Sequence, residues 1–227
     1  MTAFNFGGIK DNSAVNTSKS LKPWGIYDVT FDGLTRSSIK GKKDPDKVYD
    51  VIGISFSSEE GSFSTNLFIP SSDQDNERQV NTSKDGHEYQ SPSRFEEFKW
   101  TLLQIAQVVN PEGYNKLKEQ SSKIKTMDDF IKLVSTVANA KKGTKTKLKL
   151  TGRNNNGTVY AQIPRVCGIN KNGECFVSNN FIGDRVDFTP WEASQAKEYN
   201  TAKPTEMESV VVPQVNDSED IDFDSLL

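Results

Sequence analysis

Few side chains in this sequence could perform covalent or metal chemistry, and their spacing does not assemble a site. There is one histidine, His87, and there are two cysteines, Cys167 and Cys175. A structural zinc ion takes four Cys or His ligands, so these three fall short, and no C-x-x-C pair is present. A Ser-His-Asp or Cys-His nucleophile would have to use His87, which lies in the Gly-containing stretch DGHEY, where a solvated loop histidine is the simpler reading. The Gly-rich phosphate cradles G-x-G-x-x-G and G-x-x-x-x-G-K-[ST] do not occur. Pro45-Asp46 opens like a metal-dependent nuclease motif, but no [DE]-x-K follows the next apolar strand to complete the acidic pair. No catalytic residue, metal or cofactor is therefore expected, and the chain reads as a non-enzymatic protein.

What the sequence does offer is lysine and aromatic side chains placed at strand-like intervals. Lys40, Lys42 and Lys43 fall in SSIKGKKDPDK, and Lys141, Lys142, Lys145, Lys147 and Lys149 in AKKGTKTKLK. Tyr49, Phe68 and Tyr160 occupy positions opposite the apolar faces of their strands. Bases stack on rings while cations follow phosphates, so aromatics beside lysines on one sheet suit single-stranded nucleic acid. Trp24, Arg153, Arg165 and Phe176 complete the candidate set. Packing of Phe68 and Tyr160 beneath inserted helices is the competing reading. Cys167 and Cys175 flank a seven-residue loop, and reduced thiols are expected in a cytoplasmic chain.

These side chains need strands to hold them. Residues 1–22 lack periodicity and read as a flexible arm. In PWGIYDVTFDG, Tyr27, Val29 and Phe31 alternate with Asp28, Thr30 and Asp32. VYDVIGISF puts Val48, Ile52, Ile54 and Phe56 on one face, and SFSTNLFIP puts Phe63, Thr65, Leu67 and Ile69 on one face. A polar loop then runs to Ser91. Ser93 and Glu96 have capping-box spacing ahead of the stripe Phe95, Phe98, Leu102, Ile105 or Ala106, and Val109, and Asn110-Pro111 ends that helix. A weaker helix is predicted through Tyr114 to Glu119. Another starts at Thr126, buries Phe130, Leu133, Val134 and Val137, and stops at Gly143. Strands return over Thr146 to Gly152 and Thr158 to Pro164, joined by Arg153-Asn-Asn-Asn-Gly157. A hairpin with its turn at Asn172-Gly173 follows, and Thr189-Pro190-Trp191-Glu192 opens a short helix.

Three strands, a helical insertion and two more strands follow the order of the five-stranded oligonucleotide-binding barrel, the OB-fold, although a generic α+β sandwich shares that order. The expected class is mainly β with inserted helices. The expected division is an arm at 1–22, a domain at 23–203 with a helical insertion at 93–142 and a hairpin at 166–179, and a disordered acidic tail at 204–227.

Composition supports a partly unburied chain. Of 227 residues, 34% are hydrophobic, and no apolar run approaches the roughly 18 residues of a membrane span. The start lacks the basic-then-apolar pattern of a secretory signal, so a soluble cytoplasmic protein is expected. The net charge of −3 conceals a division: residues 206–227 carry seven acids and no Lys or Arg, whereas residues 1–205 hold 28 bases against 24 acids. A basic body with an acidic tail hints at a nucleic-acid partner.

The tail's end, NDSEDIDFDSLL, mixes Asp217, Glu219, Asp220, Asp222 and Asp224 with Ile221, Phe223, Leu226 and Leu227. An acidic strip interrupted by hydrophobes suits docking in a basic-rimmed pocket. On DSEDIDFDSLL and the strand order over residues 23–165, the chain resembles the single-stranded DNA-binding proteins of bacteria and bacteriophages. It is most similar to the phage type, as in the large crAss-like phages. Where bacterial tails end in an aromatic proline-containing tip, this one ends Ser-Leu-Leu. The resemblance implies binding of single-stranded DNA without strong sequence preference in phage DNA replication, recombination or repair, in the host cytoplasm. It also implies that the tail recruits replication or recombination proteins and competes with DNA for the basic groove. The alternative is a phage interaction or virion-associated protein whose β domain binds protein.

Overall fold

The computed structural model describes residues 19–41, 44–83 and 85–201. Its strands are β1 (Gly25–Lys40), β2 (Val48–Ser57), β3 (Ser62–Phe68), β4 (Val80–Thr82), β5 (Glu88–Gln90), β6 (Lys145–Asn155), β7 (Thr158–Gln162), β8 (Cys167–Ile169) and β9 (Cys175–Val177). Its α-helices are α1 (Arg94–Val109), α2 (Pro111–Glu119), α3 (Met127–Asn139) and α4 (Pro190–Thr201).

The period-two pattern of β1 buries Val29 and Phe31. The alternation then breaks, because the register with β2 steps from Phe31↔Phe56 to Gly33↔Ser55 and leaves Asp32 as an extra residue. This bulge lets Leu34 point inward again beside Ile54. Gly33 makes it possible: its φ is +132°, and a Cβ there would lie 2.3 Å from the Lys142 side chain. Just past the bulge, Asn139 at the end of α3 grips β1 by accepting from the Leu34 N–H and donating to its carbonyl, both at 2.8 Å.

The bend divides β1 between two neighbours. Gly25–Thr30 pairs with β6 and Thr30–Lys40 with β2, both antiparallel, in a five-stranded sheet of order β3-β2-β1-β6-β7. The expected barrel is not formed, because β3 and β7 are edges and not partners. The β3 edge and the part of β6 that extends past β7 are each partly covered. Ser20 bridges Ser62 in parallel, with the Leu21 N–H donating to the Ser62 carbonyl at 2.9 Å. On the far edge of β6, the Lys149 N–H donates to the Phe181 carbonyl at 2.7 Å, and the Gly183 N–H donates to the Lys147 carbonyl at 3.0 Å. Leu21 is buried, so residues 19–22 of the predicted arm belong to the folded domain. Residues 1–18 lie outside the described residues.

Helices α1 to α3 pack on the sheet's inner side, where Phe31, Ile52, Ile54, Phe56, Leu148 and Leu150 meet Phe98, Leu102, Ile105 and Val134. Reciprocal capping boxes start two of them, Ser93 with Glu96 on α1 and Thr126 with Asp129 on α3. Asn110 separates α1 from α2, capping α2 through the Gly113 N–H (3.0 Å) and donating to the Val137 carbonyl of α3 (2.8 Å). Helix α2 begins at Pro111, earlier than predicted. Helix α3 ends at Asn139, before Gly143, and buries Ile131 and Ala138 more completely than Leu133 and Val137. The expected loop before Ser91 contains the β4–β5 hairpin, which holds His87 in its turn region. Helix α4 is capped by Thr189 as expected but runs for 12 residues. The predicted tail, 204–227, lies outside the described residues.

Candidate nucleic-acid interface

The pairing register decides which side chains share the outer side of the sheet, away from α1–α3. Through Thr30↔Ser57, Val51↔Ser37 and Tyr49↔Ile39, the odd positions of β2 face outward. Val51↔Phe68 and Gly53↔Asn66 carry that side onto β3. Thr30↔Lys145, Asp28↔Lys147 and Arg153↔Tyr160 carry it onto β6 and β7. Tyr49, Phe68, Lys145, Lys147, Lys149, Arg153 and Tyr160 thus have the common parity expected of them.

At the β2–β3 end, Tyr49 and Phe68 meet edge to face, with ring centroids 5.6 Å apart and planes at 89°. Phe68 is 41% exposed, so it is not covered by the helices. Val51, the cross-strand partner of Phe68 and two positions after Tyr49, is fully buried although it faces outward. The Lys47 ammonium sits 4.9 Å from the Tyr49 ring centroid. Beyond the rings, the floor consists of Ser37, Thr35, Gly53, Asn66, Ser55 and Ser64, which are small and polar. Hydrogen-bonding groups and flat rings are thereby offered together, with a cation at the rim.

Other candidates are distributed differently. Lys40 has the parity of Leu34, opposite to Tyr49, and lies exposed at the end of β1. Lys42 and Lys43 lie outside the described residues. Lys145 is exposed, and Lys147 pairs with Asp28 across the strands at 3.4 Å. Tyr160 is exposed beside Arg153. Phe176 is exposed but belongs to the separate β8–β9 hairpin, which Arg78 holds by donating to the Gly173 carbonyl at 2.6 Å, so it is not part of this sheet.

Lys149 is the clearest correction. Its side chain is 0% exposed and donates to Asn179 Oδ1 (2.5 Å), the Asp187 carbonyl (2.7 Å) and Glu192 Oε2 (2.9 Å), one acceptor for each ammonium proton. Glu192 Oε1 accepts from Asn179 Nδ2 at 2.8 Å, and Oε2 also accepts from the Thr189 N–H at 2.8 Å. Burial pushes the Glu192 carboxyl up, but the Thr189 N–H, Lys149 and Asn179 together hold it below the usual carboxylate range. Lys149 therefore bolts the chain around residues 179–192 onto β6 and cannot meet a phosphate.

Trp24 and Arg165 frame a second patch. Trp24 adopts φ +58°, which costs an ordinary residue about 1–2 kcal/mol. Its indole lies against Gly152, where a Cβ would stand 2.2 Å from Nε1. Trp191, 66% exposed on α4, meets it edge-on with centroids 6.1 Å apart. A cleft of about 300 Å³ opens beside the two rings, lined also by Gln162 and Arg165. Arg165 pairs with Glu97 at 3.2 Å. Trp191 was missed because Thr-Pro-Trp-Glu reads only as a helix start. Lys47 and Val51 were missed because neither has a sequence signal apart from its parity.

Across known proteins, no family model, curated sequence or solved structure matches the chain. Among the described residues, no helix is long and apolar enough to cross a membrane. Both cysteines are free. Cys167 stands opposite Val177 and Cys175 opposite Ile169, so the two are diagonal neighbours across the hairpin. Burial, then the nearby Glu97 charge, raises the Cys167 thiol far above its ordinary range, which makes it a poor nucleophile.

Proposed function

We propose that the protein binds single-stranded DNA, with little sequence preference, along the outer side of its sheet. The observation that carries this reading is the Tyr49–Phe68 pair, next to Val51 and Lys47 and a floor of Ser, Thr and Asn. Every base has a π-face, so such a platform accepts any sequence, and lysines supply the backbone attraction. Strand order adds support. With β1 central, β2–β3 on one side and β6–β7 on the other, the sheet has the order of an oligonucleotide-binding barrel opened between its third and fifth strands. In that fold the face of the second and third strands and the loop between the first two meet the ligand, and here these are Tyr49, Phe68 and the lysine-rich segment 40–47. The phage role in replication, recombination or repair, and the recruitment of partners by the acidic tail, rest on the resemblance of the tail sequence.

Fluorescence anisotropy of a labelled oligothymidylate, with a duplex of equal length as competitor, tests the reading. Preference for the single strand and a negative slope of log affinity against log salt are expected. Tighter binding to duplex, or affinity indifferent to salt, overturns it.

A further inference from the structure

The helical layer carries a groove that plays no part in the sheet's outer face. It measures about 430 Å³ and runs between α1, α2 and the start of α3. Its walls are apolar, with Phe95 and Leu103 from α1, Tyr114 from α2, Ile124 from the connection, and Met127 and Phe130 from α3. Its rim is cationic. Lys99, Lys118 and Lys125 all border it. The Lys99 ammonium lies 5.7 Å from the Phe95 centroid and 5.4 Å from that of Trp100, and that of Lys118 5.0 Å from the Tyr114 centroid, so aromatic rings position both lysines at the rim. In the first turn of α3, Asp128 is held by Arg36, and Asp129 accepts from the Lys125 and Thr126 N–H groups at 3.3 and 3.1 Å.

An apolar cleft bordered by lysines calls for an acidic ligand with hydrophobic side chains, and this chain carries one. In Asp217–Leu227, Ile221 and Phe223 alternate with Asp220, Asp222 and Asp224. Laid out extended, residues 220–224 turn Ile221 and Phe223 to one side and Asp220, Asp222 and Asp224 to the other. Leu226 and Leu227 add further apolar surface. The reach suffices: the 15 residues between Thr201 and Asp217 span up to about 50 Å, against a radius of gyration of about 16 Å for a domain of roughly 200 residues. A ligand tethered this way is present at millimolar effective concentration, enough to fill a weak site.

We propose that residues 217–227 dock in this groove of their own chain, Ile221 and Phe223 between Phe95, Leu103 and Met127, and the carboxylates at Lys99, Lys118 and Lys125. The tail then rests on the helices and leaves Tyr49 and Phe68 uncovered, in contrast to competition for the DNA face. A partner protein with a similar basic-rimmed cleft would have to displace it.

The test uses the full chain with p-benzoylphenylalanine in place of Phe223, irradiated at low protein concentration, and mass mapping of the cross-linked peptides. Cross-links to residues 95–103, 114–118 or 124–130 in the monomeric product are expected. The double variant Lys99→Glu/Lys118→Glu should cut their yield several-fold, as should high salt, with the circular-dichroism melt unchanged. Cross-links mapping to the Tyr49–Phe68 face, appearing only in dimers, or persisting in the double variant overturn the proposal. DNA binding is measured separately by anisotropy, so failure here and failure of the DNA-binding reading are distinguishable.

Discussion

At the scale of single residues, Tyr49, Phe68 and Lys149 have the same parity and opposite roles. Tyr49→Ala or Phe68→Ala should cost about 1–3 kcal/mol in single-strand affinity if each ring stacks on a base. Phe68→Ala should not lower the melting temperature as a core truncation does, because Phe68 is 41% exposed, and truncating the half-buried Tyr49 should lower it less than truncating a fully buried ring would. A loss of stability with affinity intact would return that ring to a packing role. Lys149→Ala should instead destabilise by about 3–5 kcal/mol, since Glu192 would be left as a buried charge without its cation. The pH dependence has a definite sign. The Glu192 carboxyl is held below its unfolded value of about 4.3, so its contribution is complete above that pH and is lost as pH falls through the folded value. The drop in melting temperature between pH 7 and pH 3.5 should therefore be smaller in Glu192→Gln than in the parent. Parity was legible in the sequence, which is why Tyr49 and Phe68 could be placed on one face. The fate of Lys149 was not, because Lys145, Lys147 and Lys149 are equivalent until Glu192, 43 positions away, closes over one of them.

Among the elements, those defined by short-range chemistry were the readable ones. Ser93 with Glu96, Thr126 with Asp129, and Asn156-Gly157 with φ of +50° and +86° each specify a cap or turn within four residues. The β4–β5 hairpin escaped notice because three-residue exposed strands bury no face and so leave no alternation. The pairing of residues 19–21 with β3 was equally hidden, as it depends on Gly61. That glycine has φ +152°, and a Cβ there would stand 1.9 Å from the Lys19 carbonyl oxygen. Gly61→Ala should consequently cost about 1–3 kcal/mol in strain and detach the segment. Faster tryptic cleavage after Lys19, with a lowered melting temperature, would register this, and an unchanged digestion pattern would contradict it.

For the molecule as a whole, the number and sequence of strands in the five-stranded sheet were legible, while closure was not, since whether β3 meets β7 depends on curvature that no single strand encodes. Charge also acts at this scale. If the tail rests on the helices, deleting residues 217–227 should leave single-strand affinity at low salt within about twofold, whereas a tail lying on the DNA face predicts clear tightening. Titration of both chains across salt separates the two. The division of β1 at its bulge bears on biogenesis as well. Lys40 and Val48 are eight positions apart, but Gly25 and Leu150 are 125 apart, and closing the longer loop costs about 2 kcal/mol more in chain entropy. The β1–β3 meander should thus acquire hydrogen-exchange protection before β6 in pulse labelling. On a chain emerging from the ribosome, the Tyr49–Phe68 platform would then be assembled while Ile52, Ile54 and Phe56 on its reverse are still bare. Those three are what a nascent-chain chaperone would have to shield until α1 is made.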